Sequence, residues 1–349
     1  MRKVRMAHAR PGRKTRARPG RKTPAGIARM VFGGTPRMTF AGLAAAAALL
    51  TLLPEGVRAQ AICSAPHSSP TLAQSGSVRT LPRGAGWVQL SAYNQQSDEF
   101  FNHLGTSQPF LADSEFDTRS LFLTGAVGLW EGLEIWAQVP IHRLRVDAAS
   151  GESTSTGVGD VRVATRVGSE FLGLDVPLAL RAGVKVPGSD FPVDATVLPL
   201  SEGQTDLEVS LESGTELGEL PLYLMGWVGY RWRGENGDAD RKPGNERFAH
   251  LALGGTAGGF AWELAADGLW GVAPEAQGIT LEGERRRLIQ IMPTIGYEVG
   301  GGRLEFGSQI PVYGKNLPNG VGFSLGYRYA WGMEPPSLLE QLDELLGKR

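Results

Sequence analysis

The chain has 349 residues, and its 35 lysines and arginines nearly balance its 36 aspartates and glutamates. A hydrophobic content of 42% excludes a disordered chain, and the one cysteine excludes an intrachain disulfide framework and a cysteine-rich metal site. Beyond residue 61 no apolar run reaches the roughly 18 residues that a membrane helix needs, which excludes a helical membrane protein.

The first 61 residues differ in charge from the rest of the chain, with 13 basic residues and a single acidic one. A short apolar stretch at 40–53 follows the basic residues, and the small-residue sequence Ala59-Gln60-Ala61 comes next. This layout is typical of a secretory signal peptide cleaved after Ala61, with an uncleaved signal anchor as the alternative. We therefore predict a basic leader and signal peptide over 1–61 and a flexible lead-in over 62–85.

From residue 86 onward, apolar side chains recur at every second position in one segment after another. In the last segment, Phe323, Leu325 and Tyr327 share one face, while Arg328 lies on the other. Period two indicates β-strands, because successive side chains point to opposite faces. Most segments exceed the five or six residues typical of soluble strands, and they suit a bilayer crossed at a tilt. The twelve predicted strands are 86–93, 116–129, 132–146, 158–171, 175–187, 203–213, 220–233, 246–256, 259–271, 285–298, 303–313 and 321–331.

The connections between these strands alternate between short and long. Such alternation is expected when the two ends of an up-and-down barrel face different compartments, with short turns on the periplasmic side. The short connections lie near 130–131, 172–173, 217–218, 258 and 300–302. The long polar connections are predicted at 94–115, 147–157, 188–202, 234–245, 272–284 and 314–319.

Aromatic residues gather near the strand ends, where the interfaces of a bilayer favour them. On the short-turn side they are Phe171, Tyr297, Tyr329 and Trp331, and on the long-loop side Tyr230, Trp232 and Trp270. Tyr93, Trp130 and Tyr313 lie at similar heights but break the alternation of their strands.

The apolar faces could fill the core of a soluble sandwich or surround a hydrated barrel, and period two alone does not decide. Mixed charges on the polar faces, the aromatic ends and the export signal favour the barrel. Because an open sheet edge is not viable in hydrocarbon, strand 86–93 is expected to pair with 320–331. The predicted fold class is all-β, a closed antiparallel up-and-down transmembrane β-barrel of about twelve strands over 86–331. The tail at 332–349 is predicted to be periplasmic and amphipathic, with a short C-terminal helix.

Charged residues on the polar faces are the main candidates for a functional site. Opposed charged walls would create a transverse field across the lumen and set its selectivity. The alternative is that neighbours pair across strands and simply fill the interior. The candidate lumen residues are Glu134, Asp160, Arg162, Arg166, Arg181, Lys185, Asp206, Glu208, Arg231, Glu263 and Arg328, with Glu212, Asp267, Glu298 and Glu305 as further inward acids. The inward aromatics Trp136, Tyr223 and Trp227 would either form an apolar path or fill space.

The sequence shows no pattern typical of a catalytic site or a metal site. Twelve-stranded outer-membrane phospholipases exist, but the chain has no Gly-x-Ser-x-Gly elbow and no convincing Ser/His pair. None of the histidines has a partner at metal-ligand spacing. We expect no catalytic residue, no metal and no cofactor.

Several segments together resemble a known family of outer-membrane proteins. The strand that begins at Gly157-Val-Gly-Asp160 is similar to the family's Gly-x-Gly-Asp opening, and Glu134–Pro140 before it resembles a strand ending in proline. The strand running into Pro187-Gly188 and the segment at 203–209 follow in the same order. Over about 120 to 330 the chain resembles the outer-membrane family named for the meta-pathway of phenol degradation, whose members are labelled transporters. The resemblance implies a channel for small, often aromatic or hydrophobic compounds.

The expected function is therefore a channel or transporter in the cell outer membrane for passive or facilitated uptake of small molecules. The alternatives are a structural or adhesive barrel with a plugged lumen, and a secreted soluble β-rich binding protein. The expected partners are outer-membrane lipid and a small-molecule solute, with no nucleic acid. The outer-membrane assembly machinery is expected to recognise the last strand through Phe323, Tyr327, Tyr329 and Trp331.

Overall fold

The computed structural model describes residues 79–110, 114–148, 151–192, 197–218, 221–257 and 259–333. The predicted leader at 1–61, most of the predicted lead-in, and the predicted C-terminal helix lie outside the described residues. The helix of the tail and the signal peptide therefore stay predictions.

The described chain is almost entirely β-structure, arranged as twelve long strands. Most of their length alternates apolar and polar residues, which suits a sheet with one face in lipid and the other in a polar interior. The fourth strand is divided into two segments. The strands are β1 (Gly86–Ser97), β2 (Glu115–Trp130), β3 (Leu133–Ala148), β4 (Gly151–Val158 and Val161–Gly168), β5 (Leu178–Val186), β6 (Asp206–Glu216), β7 (Leu222–Arg233), β8 (Glu246–Ala257), β9 (Phe260–Gly271), β10 (Arg287–Val299), β11 (Gly302–Lys315) and β12 (Gly322–Trp331).

The sheet closes on itself through its first and last strands. Each strand pairs antiparallel with its neighbours in sequence, and β1 pairs with both β2 and β12. The β1–β12 register runs from Gly86 opposite Trp331 to Gln95 opposite Gly322. Closure leaves no sheet edge to be satisfied in hydrocarbon. The predicted fold, a closed up-and-down barrel of twelve antiparallel strands, is confirmed.

The polarity of the wall is the reverse of that in a soluble protein. On β12, Phe323 and Leu325 are 49% and 51% exposed on the outside, whereas Arg328 is 5% exposed. Apolar residues are likewise exposed on other strands, while the largest fully buried side chains include Gln89, Lys185 and Glu246. The apolar face of the wall is the outer face, as a lipid-embedded barrel requires.

The hairpin between β3 and β4 corrects one predicted connection. The segment 147–157 is not a long loop, because β3 extends to Ala148 and β4 begins at Gly151, with Ala148 opposite Gly151. The residues of this extension are mostly Ser, Thr and Glu. The hairpin continues beyond the apolar belt, so it carries no alternation of apolar and polar residues from which a strand could be predicted.

The predicted strand at 158–171 is also interrupted, at Gly159 and Asp160, and it ends at Gly168. The N–H of Gly159 donates to the carbonyl of Pro140 at 3.0 Å, and the Asp160 carboxylate turns inward to Lys185. A short 3₁₀ turn, Ser169–Leu172, then replaces the expected end of the strand.

The long connections contain short strands of their own. Glu99–Phe101 pairs with both Ser107–Pro109 and Leu317–Asn319, which joins the first long connection to the last. A second small sheet joins Arg241–Lys242, Glu275–Ala276 and Ile279–Thr280. None of the described residues forms a helix long and apolar enough to cross a membrane.

Candidate channel lumen

The largest group of interior charges lies toward the long-loop end of the barrel. We call it the outer charged cluster, and its members contact one another across β4 to β8 and the start of β10. It contains five cations and five carboxylates and so carries no net formal charge. Its members are Arg162, Lys185, Arg231, Arg233 and Arg286 with Asp160, Glu202, Asp206, Glu208 and Glu246.

Shared carboxylates hold this cluster together. Asp206 accepts from Lys185 at 3.0 Å and from Arg233 at 3.1 Å. Glu246 lies 2.8 Å from Arg231 and 3.2 Å from Arg233. Because each of these carboxylates contacts more than one cation, removing one would weaken the compensation of several buried charges at once.

Four members of the cluster were not among the lumen candidates predicted from the sequence: Glu202, Arg233, Glu246 and Arg286. Arg233 shares the inward face of β7 with Arg231, so strict alternation could have found it. Glu246 is likewise in phase with the inward His250 on β8. Glu202 lies in a connection, where strand alternation gives no signal.

Glu202 belongs to a segment, 197–204, that turns into the mouth of the barrel. At one side of the mouth, Leu198 packs with Phe116 of β2 and Leu144 of β3. At the other, the Glu202 carboxylate contacts Lys185 at 2.5 Å, Arg286 at 3.3 Å, and Arg233. We call residues 197–204 the infolded loop, since they link opposite parts of the wall across the lumen.

Neighbouring cations keep the carboxyl of Glu202, in the infolded loop, ionised. Burial alone would raise the pKa of the Glu202 carboxyl, but Arg233, Lys185 and Arg286 together hold that pKa well below its usual range. The carboxylate therefore stays ionised, and the loop stays tied to three cations of the wall.

A smaller group of interior charges lies nearer the short turns. Arg166 and Arg181 are directly opposite each other on β4 and β5. Glu212 of β6 lies 2.6 Å from Arg166 and 2.8 Å from Arg181, and Glu134 lies 3.4 Å from Arg166. Like charges directly opposite destabilise a sheet, so Glu212 is what makes this arrangement stable.

The end of the predicted lead-in, residues 79–85, enters the barrel at the short-turn end. The N–H of Leu81 donates to Glu134 at 2.9 Å, and Arg166 donates to the carbonyl of Arg79 at 3.3 Å. The N–H and hydroxyl of Thr80 both donate to Glu170, at 2.8 and 2.7 Å. Burial tends to raise the pKa of the Glu170 carboxyl, but these two bonds more than offset it and the pKa is lowered.

The remaining predicted residues lie on other parts of the inner wall. Arg328 contacts Glu305 at 3.3 Å and lies 5.0 Å from the Trp87 ring. The hydroxyl of Tyr223 donates to Glu263 at 2.7 Å. Asp267 contacts His250, whereas Glu298 lies toward the short-turn rim, 54% exposed, and pairs with Arg303.

The inward aromatic rings are associated with polar groups and do not form one apolar path. Trp227 stacks on His250, with ring centres 3.7 Å apart and the planes within 4°. Arg181 lies 5.9 Å from the centre of the Trp136 ring. The lumen therefore offers flat aromatic surfaces next to charges.

The structure brings together one Ser/His pair that the sequence did not reveal. Ser120 of β2 and His142 of β3 are directly opposite, and the hydroxyl lies 2.7 Å from Nδ1. Among the described residues no carboxylate contacts the His142 ring, so the orienting third member of a triad is missing there. No group of three or more His, Cys, Asp or Glu residues in the described part of the chain could hold a metal ion.

The family model described as "Putative MetA-pathway of phenol degradation" matches residues 113–327. The chain belongs to this family. The predicted resemblance is thereby confirmed, over nearly the same part of the sequence.

Solved structures of similar fold include an outer membrane channel. The COG4313 outer membrane channel from Pseudomonas putida F1 is 17% identical, with a TM-score of 0.60 over 74% of this chain and 100% of that one. The translocator domain of the autotransporter NalP from Neisseria meningitidis is 12% identical, with a TM-score of 0.43 over 83% and 97%. The CymD monoaromatic hydrocarbon channel is 8% identical, with a TM-score of 0.37 over 72% and 90%. No curated protein sequence matches the chain.

The similarity to the first of these channels shows the fold that this member of the phenol-degradation family shares with outer-membrane proteins. Together with the lipid-facing apolar wall, it shows that the chain has the fold of an outer-membrane barrel.

Proposed function

We propose that this protein is an outer-membrane channel through which small molecules, aromatic ones among them, cross down their concentration gradient. The observation that carries the proposal is the reversed polarity of a closed barrel. Leu325 faces lipid while Arg328, Lys185 and Asp206 lie inside. Charged side chains on the inner wall suit a hydrated path for solutes, and no chemical step is part of the proposal.

The path is narrowed at both ends. The infolded loop crosses the long-loop mouth, and residues 79–85 enter the short-turn mouth. Twelve strands already give a lumen between a filled eight-stranded barrel and an open porin. These two segments support selective passage of small solutes over general diffusion.

Aromatic solutes fit both the family and the wall. The family model is described by a pathway of phenol degradation, and the COG4313 relative is named a channel. In this chain, Trp136 and Trp227 present ring faces beside charged residues. A planar solute with one polar group could stack on such a ring and bond to a neighbouring charge.

The interior charges are proposed to set selectivity among these solutes. The lumen candidates predicted from the sequence lie within ion pairs or hydrogen bonds, so the wall presents local fields without a large net charge. Such a wall favours dipolar or zwitterionic solutes over simple ions.

The test is conductance in planar bilayers together with liposome swelling. Purified barrel should give small, discrete conductance steps, and swelling should be faster with benzyl alcohol than with a sugar of similar mass. Trp227→Ala should reduce that preference, whereas Trp232→Ala, on the lipid face of the same strand, should leave it unchanged. A purified, folded barrel with neither conductance nor swelling would overturn the channel.

A second candidate is a structural or adhesive barrel with a plugged lumen. The entry of polypeptide into both mouths favours it. Complete absence of conductance, in wild-type protein and also after removal of residues 79–83, would select this candidate over the channel.

The last strand is proposed to be the segment that outer-membrane assembly machinery recognises. Phe323, Tyr327, Tyr329 and Trp331 of β12 lie on one outward face and are 38% to 50% exposed. Replacing Tyr329 and Trp331 by Ser should lower the amount of folded barrel in the outer membrane, with the unfolded form accumulating in the periplasm.

A further inference from the structure

The outward face of the barrel carries a pair of arginines just beyond its apolar belt. On β2 the lipid-facing residues Leu121, Leu123 and Leu129 are exposed, and Arg119 follows on the same face toward the long loops. Arg143 is the corresponding residue of β3, directly opposite Arg119. Both side chains point away from the lumen, since their neighbours Ser120 and His142 face it.

The two arginines are only partly neutralised by the protein. Arg119 has 61% of its side chain exposed and lies 2.9 Å from Asp117. Arg143 is exposed, and it forms no ion pair with any described carboxylate. Like charges directly opposite on one face repel each other, so an anion between the two arginines would stabilise the pair.

Below the arginines the outer wall has an apolar groove of about 500 Å³. It forms because β1 carries the short side chain of Ala92 between Leu325 of β12 and Leu121 of β2. Phe306 and Ile141 form its flanks. The groove therefore runs within the lipid belt and ends under two guanidinium groups.

An occupant of this site must combine an acyl chain with a phosphate. The groove is apolar, which suits a hydrocarbon chain, and guanidinium groups bind phosphate through paired charge-assisted hydrogen bonds. Because the short turns are expected on the periplasmic side, the long loops face the exterior and the arginines lie at the outer leaflet. The acylated and phosphorylated lipid of that leaflet is lipopolysaccharide.

We propose that the groove beneath Arg119 and Arg143 binds one lipopolysaccharide molecule, with a lipid A phosphate between the arginines and an acyl chain along Ala92. This rests on the outer-membrane location in the proposed function and on the expected outward orientation of the long loops. Binding would order the lipid next to the first and last strands, where the barrel closes.

The test is native mass spectrometry of the detergent-purified full-length barrel titrated with bisphosphorylated lipid A. Wild-type protein should bind one lipid A at least tenfold more tightly than dephosphorylated lipid A with the same chains. The double variant R119Q/R143Q should lose that tenfold difference. Ala92→Trp, which fills the groove and keeps both arginines, should weaken the binding of both lipid A and its dephosphorylated form.

The matched control is Arg145→Gln on the same outward face of β3. Arg145 lies 3.2 Å from both Asp147 and Glu152, so its charge is already compensated. Its removal should leave binding unchanged, and an equal loss in this variant would overturn the site in favour of general charge attraction. Equal affinity for phosphatidylglycerol would overturn the lipopolysaccharide assignment.

Conductance measurements distinguish a failure of the lipid site from a failure of the proposed channel. R119Q/R143Q should fold, as shown by heat-modifiable migration on gels, and conduct like wild type. A barrel that binds lipid A but never conducts would refute the channel and leave the lipid site standing. A barrel that conducts but does not distinguish lipid A from its dephosphorylated form would refute the lipid site and leave the channel standing.

Discussion

Single residues decide how the interior charges are held, and Glu202 of the infolded loop is one that contacts three cations. Its carboxylate serves three cations that come from β5, β7 and the start of β10. Glu202→Gln should free the infolded loop, raise single-channel conductance and shift the reversal potential in a salt gradient toward anion selectivity. The exposed Glu235 of the next connection gives the control, since Glu235→Gln should change neither quantity. Unchanged conductance in Glu202→Gln would mean that the loop does not narrow the path.

The same residue predicts how the channel responds to pH. Burial opposes ionisation, but three cations hold the pKa of Glu202 well below its usual range. Because the folded-state pKa is depressed, the stabilisation is fully present above the unfolded pKa of about 4.3 and is lost only as pH falls through the lower folded value. Conductance should therefore stay constant from pH 7 to pH 5 and rise only in stronger acid. A transition centred near pH 5 or 6 would contradict this.

Glu212 allows a test of stability at the level of one side chain. It is the carboxylate between Arg166 and Arg181, which are directly opposite each other. Glu212→Gln should destabilise the barrel by about 3 kcal/mol, because two interior cations would lose their shared partner. Urea unfolding in lipid vesicles measures the loss. Glu216→Gln, exposed near the end of the same strand, should cost less than about 0.5 kcal/mol.

At the scale of elements, the alternation of apolar and polar residues predicted nearly every strand. It arises because each strand has lipid on one side and a charged interior on the other. Alternation fails where that contrast ends. The hairpin of β3 and β4 extends past the apolar belt with polar residues on both faces, so nothing in its sequence separates it from a loop.

Irregular pairing explains two of the three aromatics that seemed out of phase. A register shift between Gly128 and Trp130 turns Trp130 outward, where it is 56% exposed. A second shift, between Ile289 and Gln290, lies opposite Tyr313. A bulge inserts one residue and reverses the alternation beyond it, so period two could not place these side chains. Tyr93 points inward and contacts Gln309 at 3.4 Å.

The charged residues themselves were found from alternation, but their partners were not. Strand phase gives the face of Arg162 or Glu208, whereas their 3.5 Å contact depends on register and tilt. The infolded loop and its Glu202 depend on tertiary structure alone, since no local pattern shows where a connection will fold.

The position of segment 79–85 in the short-turn mouth leads to a second prediction, about conductance. Gly128 of β2 leaves room for this segment, and a Cβ there would lie 2.2 Å from the carbonyl of Pro82 and 2.4 Å from that of Leu81. Gly128→Val should displace the segment from the short-turn mouth and raise conductance, while heat-modifiable migration stays normal. Gly237→Val, at a position with open space, should have no effect on conductance. Equal conductance in both variants would show that the segment does not obstruct the path.

For the whole molecule, the orientation in the membrane decides which mouth meets the exterior. Short turns belong on the periplasmic side, and the outward arginines of the long-loop rim, Arg119, Arg143 and Arg247, suit the phosphate-rich outer leaflet. A barrel in which Cys63 is replaced by Ser gives a background without thiols. In that background, Asp238→Cys in a long connection should react with a membrane-impermeant maleimide on intact cells, whereas Glu131→Cys in a short turn should react only after the outer membrane is opened. The opposite labelling would reverse the topology, and it would move the lipid groove to the inner leaflet, where its proposed occupant is absent.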